Sequence, residues 1–526
     1  VQSYGMLNND NPVELLQLLP GVVGILAFNE VDRVSVRGID SSLNTVELDG
    51  NSFATPGINS ASTERSSILS TTNTNNIKTA EVIKALTPDR SAAAIGGMVN
   101  LIQRTALDYP KSAGRFEYRL GSQYVETRSG FATRPTYNAQ LTYHDVFGPK
   151  RNWGVYITGG YNKETTNQYS TNQTLANAAG FGLIPTGNTT SENYRLRFRR
   201  NWAATVDHRW GGAHEIAFKF KHDDWFESTE SLNVNVSGAV PAPDWSPDNR
   251  NYIRPGGIGV QVHKNPPGVD TDSFSFEGRH HLGGWIVNYT AAYSRAITDV
   301  NLENSTEFVR VNSTLRSALL PQVPLFIDTS ASRLFPTLRL SAAAAAIVYN
   351  PDNYQIGNVS GAGGVTQHRI YVDDERKGGR IDVKRTFSWK QPVTFKTGFN
   401  VADQGRLQYR REANWAFAGE DGVVGSADDR ISRFIQPNPG LTGYNASGNL
   451  RPFVFDIGAV RRNIDTHPNL WVADAAGNAT RSVANNFAVA ERITAGYLMG
   501  DTRWRDFKVL GGVRWEGTRV TGTGLL

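Results

Sequence analysis

The side chains able to do acid–base or metal chemistry fall into a few groups in this chain of 526 residues, which has no cysteine. Thiol catalysis, thiolate metal sites and disulfides are therefore excluded. His214-Glu215 opens a zinc-protease signature, but the second histidine is missing and the pair stands in an alternating strand pattern. His280-His281 is a poor chelator on a strand, because adjacent residues face opposite sides. Gly256-Gly257 and Gly361 to Gly364 complete neither a dinucleotide fingerprint nor a phosphate loop. Glu420-Asp421-Gly422 and Asp428-Asp429 gather hard oxygen ligands around glycine turns, as calcium would require, without EF-hand spacing. Asp421, Asp428 and Asp429 are its candidate ligands, and calcium in this outer loop is the one cofactor considered. Trp245, Tyr252, Trp415 and Trp471 stand in long inter-strand stretches, where flat aromatic faces can stack on sugar rings or simply pack the loop. No catalytic constellation emerges, and an enzyme is not expected.

The elements that would carry these residues are strands. The chain has 51 Gly, 19 Tyr, 24 Phe and 11 Trp, and only 39% of its residues are hydrophobic. That composition favours sheets and turns over a large helical core. A net charge of +5, spread along the chain, gives no nucleic-acid footprint. No apolar run reaches the 18 or so residues of a membrane helix, so any crossing of a membrane must use strands.

From Arg115 onward the period is two. Phe116, Tyr118 and Leu120 oppose Arg115, Glu117 and Arg119; Ile216, Phe218 and Phe220 oppose Glu215, Lys219 and Lys221; Val393, Phe395, Phe399 and Val401 continue the habit. Short links near Gly148-Pro149, Gly211-Gly212, Gly283-Gly284, Gln391-Pro392 and Arg505-Asp506 alternate with long ones at 164–191, 226–270, 298–366 and 414–484. Tight turns at one end and elaborate loops at the other characterise an outer-membrane barrel. Trp153, Trp210, Trp285, Trp389 and Trp504 each sit beside a short turn, as a membrane-water rim would place them. One strand after the first domain and two per short hairpin give eleven, an odd number that leaves unpaired edges in lipid.

The first 108 residues differ: a short helix pattern capped by Asn11-Pro12, brief strands and turn pairs make a small α+β unit. Here Leu19-Pro20-Gly21-Val22, Val34-Ser35-Val36-Arg37-Gly38, Val46-Glu47-Leu48-Asp49-Gly50, Glu81-Val82-Ile83-Lys84 and Ala94-Ile95-Gly96-Gly97-Met98-Val99-Asn100-Leu101 follow in order. This series resembles the plug domain of TonB-dependent outer-membrane receptors, with Pro20, Gly21, Arg37, Gly38, Asp49, Gly50, Gly96, Gly97 and Asn100 as its motif residues. Leu86-Thr87-Pro88-Asp89 leading to Ala94–Asn100 is most similar to the subgroup associated with glycan uptake, although Met98 departs from its usual small or β-branched residue.

The resemblance implies a mainly β protein. Residues 1–108 would form the plug, and 109–526 the N-terminal part of an antiparallel transmembrane β-barrel with long extracellular loops, about half of a plugged barrel of roughly 22 strands. Further strands are expected after Leu526, and a leader and the segment gripped by TonB before Val1. Arg37 would find carboxylates on the inner wall, and Glu81 or Lys84 would likewise pair with wall groups of opposite charge. The implied function is active uptake of a large scarce solute, oligosaccharide first and ferric siderophore next, across a Gram-negative outer membrane. TonB with ExbB and ExbD, outer-membrane lipid and the solute would be partners. The rival readings are a soluble or surface all-β carbohydrate-binding protein and a passive outer-membrane channel.

Overall fold

The computed structural model describes residues 11–524 apart from 12–13, 15, 28–29, 56–68, 73, 110–113, 124–135, 179–181, 242–251, 300–307, 329–336, 438–449, 451 and 485. Trp245 lies outside the described residues, as do Pro12, Val13 and Leu15 of the first helix pattern. Hairpin β1 (Val22–Ala27) and β2 (Glu30–Val36) precedes a second small sheet in the order β4 (Asn51–Ser52), β3 (Asn44–Leu48), β6 (Gly97–Gln103), β5 (Ile77–Ile83). The pair β3–β6 is parallel, and the others are antiparallel. Leu16, Val22, Val31, Val34, Val46, Leu69, Ile77, Val99 and Leu101 form one buried core beneath both sheets. Asp49 (φ 51°) and Gly50 (φ 79°) turn the chain between β3 and β4 with the two left-handed residues a tight hairpin needs. Gly96 and Gly97 admit β6 to this core: a methyl on Gly96 would run into Asn44 Oδ1, and one on Gly97 would meet Val36 Cγ1 at 2.8 Å.

The remainder is dominated by one long antiparallel ladder. Its main path runs β7 (Arg115–Gln123), β8 (Thr136–Phe147), β9 (Trp153–Ala178), β10 (Gly182–Trp210), β11 (His214–Ser237), β15 (Gly268–Leu282), β16 (Trp285–Asp299), β21 (Val365–Phe387), β22 (Val393–Phe417), β24 (Phe487–Trp504) and β25 (Phe507–Gly524). The numbers skipped belong to outer segments: β12 (Val240–Pro241), β13 (Tyr252–Arg254), β14 (Gly257–Asn265), β17 (Phe308–Leu315), β18 (Leu325–Asp328), β19 (Thr337–Leu340), β20 (Tyr354–Gln355) and β23 (Trp471–Ala473). The eleven strands of the path and its five tight turns fall where the alternation put them.

The ladder is inside-out. Phe116, Tyr118, Leu120, Leu141, Ile157, Trp202, Phe218, Phe276, Ile381, Phe399, Leu498 and Val513 are exposed, while Thr142, Asn162, Arg195, Arg197, Arg199, Asp207, Lys219, Asp223, Asp374 and Asp382 are buried. A soluble sandwich would bury the first set against a second layer. Here the apolar face is open and the polar face is covered, as in a barrel that meets lipid outside and encloses charge. No described helix is long and apolar enough to cross a membrane, which says nothing of these strands.

The long links depart from the expectation of open loops. The 164–191 stretch is strand through Ala178 and again from Gly182, so β9 and β10 reach 26 and 29 residues. That is well beyond the 9–11 residues a tilted strand needs to cross a bilayer. The other three links fold together into a cap with its own core, which joins Leu232, Val260, Val311, Leu325, Ile327, Val348, Phe417, Phe434, Phe455 and Val460. It includes helices α1 (Ala342–Val348), α2 (Ile457–Thr466) and α3 (Ala475–Ala484). Helix α3 takes over the edge of β22 where β24 leaves it. Asn478 Oδ1, Ser482 Oγ and Asn486 Oδ1 accept the backbone N–H groups of Asn414, Glu412 and Arg410 at 2.8, 3.0 and 2.5 Å. Four residues of helix advance about 6 Å and two of strand about 6.6 Å, so every fourth side chain meets every second amide.

Candidate functional site: the plug and its wall

The first domain is seated against the polar face of the ladder, and polar contacts bind the two. Lys219 on β11 lies 3.1 Å from Asp49 of the plug turn and 3.0 Å from Glu277 on β15, with Lys219 and Asp49 both almost completely buried. Asp49 also accepts the Gln103 N–H at 2.9 Å, so one carboxylate ties the turn to β6 and to the wall. On the opposite flank Asp89 pairs with Lys396 on β22 at 2.6 Å and with Arg380 on β21 at 3.8 Å. Burial alone would raise the Asp89 carboxyl, but the bond from Lys396, helped by Thr87, holds it down at about 2. Glu47, one strand away, is pushed up to about 7 by burial, against the opposing pull of Arg90, Arg380 and Arg514. Neutral contacts fill the gaps: Asn75 to Asn201 at 3.1 Å, Thr290 to Asn51 at 2.9 Å, Ala54 N to Ser294 at 3.1 Å and Leu107 N to Asp207 at 3.1 Å.

Where the plug's outer segments meet the wall, arginine predominates. Arg195 and Arg197 share Glu227 at 3.0 and 2.6 Å, and Arg199 lies 3.5 Å from Glu164 while its Nε donates to Ser70 O of the plug at 3.0 Å. Arg406 reaches Thr55 O of the plug at 3.2 Å and shares Asp374 with Arg376. Arg410 pairs with Glu412 at 2.5 Å. These six arginines pair with Glu227, Glu164, Asp374 and Glu412, Asp32 of the plug lies in the field of Arg197, and two of the six touch plug backbone.

The plug motif residues are structural here. Asn100 Oδ1 accepts the Gly50 N–H at 2.9 Å and its Nδ2 donates to Glu81 at 3.4 Å, while Lys84 donates to Pro20 O. Glu81 and Lys84 are thus engaged within the plug, and Arg37 (φ 59°), followed by Gly38, closes the β1–β2 hairpin through its N–H to Gly21 O. The wall pairings expected of Arg37, Glu81 and Lys84 fall instead to Asp49 and Asp89. Asp89 was visible in the Thr87-Pro88-Asp89 string, but its partners Arg380 and Lys396 lie about 300 positions away, and Lys219 lies 170 positions from Asp49.

The aromatic candidates part company. Trp471 is 7% exposed, packs on Phe417 and Phe434, and donates its indole N–H to Asn463 at 2.9 Å, so it is a cap-core residue and not a stacking platform. Trp415 packs against the same core, and of Tyr252 only the backbone is described. Trp153, Trp210, Trp285 and Trp389 face outward beside their turns, 39–60% exposed; Trp504 ends β24 at its turn. Trp153 stacks on His208 at 4.0 Å, and Arg385 covers Trp285 at 4.9 Å. His214 and His280, dismissed separately in sequence, are directly opposed with Nδ1 atoms 3.1 Å apart.

In the acidic loop Asp428 accepts the Glu420 and Asp421 N–H groups at 2.7 and 3.1 Å, and Asp429 accepts that of Gly425 at 2.5 Å. Hydrogen bonding, led by Ser426, lowers Asp428 to about 2, and burial raises Asp429 to about 6. Among the described residues no three His, Asp or Glu side chains gather to hold a metal ion. The three aspartates therefore serve this loop's backbone and do not converge as a calcium cage.

Residues 2–98 match the family model described as TonB-dependent Receptor Plug Domain. No curated protein matches the chain. Solved structures similar to it include the siderophore receptor PirA from Pseudomonas aeruginosa, 9% identical over 98% of this chain and 96% of that one, TM-score 0.24. The pyoverdine outer membrane receptor FpvA from Pseudomonas aeruginosa PAO1 is 9% identical over 98% and 85%, TM-score 0.29. BauA, the ferric preacinetobactin receptor from Acinetobacter baumannii, is 10% identical over 96% and 86%, TM-score 0.25. Scores this low leave the assignment to the plug match and to the inside-out ladder around it. Residues 2–98 are therefore a plug domain of the kind found in TonB-dependent receptors, and they are followed by a long antiparallel ladder whose apolar face is open.

Proposed function

We propose that this receptor imports a large anionic solute across the outer membrane, drawing on TonB and its ExbB–ExbD complex for energy. An acidic oligosaccharide is the first reading and an anionic ferric chelate the second. The observation that carries the proposal is the concentration of arginine where plug and wall meet. Among the described residues Arg195, Arg197, Arg199, Arg376, Arg406 and Arg410 form ion pairs with Glu164, Glu227, Asp374 and Glu412, and Asp32 of the plug lies in the field of Arg197. An anion entering here would draw on Arg199 and Arg406, whose guanidinium groups also hold plug backbone at Ser70 and Thr55. Solute binding would thereby loosen the plug's outer contacts, while the ion pairs of Asp49 and Asp89 keep it seated until it is pulled. A polar interface suits this, because groups drawn apart in a wet lumen are rehydrated. The plug is taken to extend to residue 108, the outward tryptophans to mark the periplasmic rim, and the exposed apolar face to contact lipid.

The test is uptake by cells expressing the full-length protein, with a labelled acidic oligosaccharide, its neutral counterpart and a ferric chelate compared before and after collapse of the proton-motive force. Uptake of an anionic solute that stops on collapse is the expected result. Uptake that persists would make the protein a passive channel, and equal uptake of the neutral sugar would remove the arginines from the mechanism.

A further inference from the structure

On the outward face of the ladder, above its apolar band, a cleft of about 540 Å³ opens between β21, β22 and α3. Asp299, Arg369, Tyr371, Tyr409, Arg411 and Ser482 are among its lining residues. Arg369 and Arg411 are exposed and stand directly opposite one another on adjacent strands, as do Tyr371 and Tyr409. Like charges opposed on one sheet face repel and destabilise the pair. Several other cations on this face are neutralised, Arg295 by Asp373 at 2.6 Å, Arg492 by Asp403 at 2.6 Å and Lys377 by Glu375 at 3.1 Å, whereas Arg385 covers the Trp285 ring and Arg519 stands opposite Arg492. Neither Arg369 nor Arg411 makes an ion pair or side-chain hydrogen bond among the described residues. Two adjacent guanidinium forks suit a phosphate. The flanking Tyr371 and Tyr409 add flat faces and hydroxyls for a sugar ring.

Height selects the source of that phosphate. Arg369 is 18 positions from Phe387 at the short turn. At about 3.3 Å per residue and a tilt near 40° this is roughly 45 Å above the rim, against an apolar band of about 25 Å. The cleft thus lies about 20 Å beyond the acyl chains, among the sugars of a membrane glycolipid.

We propose that the Arg369–Arg411 cleft binds a phosphorylated saccharide of an outer-leaflet glycolipid. This rests on the outer-membrane reading and not on which solute is imported. The site lies on the lipid side of the wall, away from the lumen, and would fix the receptor's cap in the sugar layer.

The experiment is native mass spectrometry of the full-length protein in detergent, with three probes: a glycolipid carrying phosphorylated core sugars, the same glycolipid dephosphorylated, and inorganic phosphate. The intact protein should retain the phosphorylated glycolipid, and the Arg369→Gln/Arg411→Gln variant should retain it at least tenfold less. Arg369→Lys/Arg411→Lys, which keeps the charge but not the fork, should bind more than the glutamine variant and less than the parent, and heat-modifiable gel mobility should certify the fold of both. Equal retention of the dephosphorylated lipid, or unchanged retention by the glutamine variant, would overturn the proposal. Inorganic phosphate binding as tightly as the glycolipid would also overturn it, by making the cleft a site for small anions. Extraction only by detergent would survive any of these failures, so the membrane reading and the glycolipid site fail separately.

Discussion

Placing an arginine at Ile381 tests the inside-out ladder directly. Ile381 is 45% exposed on the interior strand β21, opposite Phe399 on one neighbour and Tyr289 on the other. It stands six positions from Phe387 at the short turn. At about 3.3 Å per residue and a tilt near 40° its depth is roughly 15 Å above the rim, close to the middle of a 25–30 Å apolar layer. A cation at that depth on a lipid face destabilises a barrel by about 2–4 kcal/mol, falling to at most ~1 near the interface. The chain already tolerates Arg385 four positions closer to the rim, where the guanidinium lies 4.9 Å from the Trp285 ring centre. Ile381→Arg should therefore lose about 2–4 kcal/mol, and Arg385→Ile should change stability by no more than ~1 kcal/mol. The assay is reversible denaturant unfolding in lipid vesicles followed by tryptophan fluorescence. If Ile381→Arg stays within about 0.5 kcal/mol of the parent, as for an ordinary water-exposed substitution, the lipid-facing assignment is wrong.

Four further outcomes are expected. Lys219→Met leaves Asp49 and Glu277 buried without their cation, which should weaken the folded plug and wall by about 3–5 kcal/mol; adding Asp49→Asn should restore part of it, and double-mutant thermal melts read the coupling. Glu47, raised from 4.5 to about 7, favours the folded state while protonated and loses that advantage as pH rises through this window; Glu47→Gln should gain on the order of 3 kcal/mol at pH 8 and almost nothing at pH 4. Asp89, lowered from 3.8 to about 2, contributes above 3.8 and is lost as pH falls toward 2; Asp89→Asn should lose about 2 kcal/mol at neutral pH and nothing at the acid end, as pH-dependent unfolding would show. Asn478→Ala with Ser482→Ala strips the acceptors from two β22 amides; a loss of about 2 kcal/mol in the cap and faster hydrogen exchange at Glu412 and Asn414 are expected, and unchanged exchange would mean water replaces α3 at this edge.

The long ladder was legible because its code is local. Alternation of the kind seen at Phe218-Lys219-Phe220 assigns each side chain to a face, and a turn pair such as Gly283-Gly284 ends a hairpin within two residues. The cap was not legible. Val260 and Val262, Val309 and Val311, and Leu325 and Ile327 alternate too, but their apolar sides are covered by one another across two separate links, and by Phe417, Phe434 and Phe455 of a third. Periodicity says that a face wants cover and not what covers it. The same limit hid the plug's anchors. Asp49 reads as a turn residue and Lys219 as one more polar position on a strand; only closure of the structure around the plug brings them to 3.1 Å. Trp471 reads equally well as a ligand platform or a core residue, and burial against Phe417 and Phe434 decides it.

The sequence by itself determined a plug motif, eleven alternating strands, their tight turns and which side of each strand is apolar. Each of these is written in residues fewer than about ten positions apart, within reach of backbone geometry and turn chemistry. Tertiary structure alone decided that the apolar side faces outward, that three long links share one core, and which charges fasten the plug. Those outcomes depend on pairs far apart in the chain, whose energies exist only once the intervening backbone has closed around them.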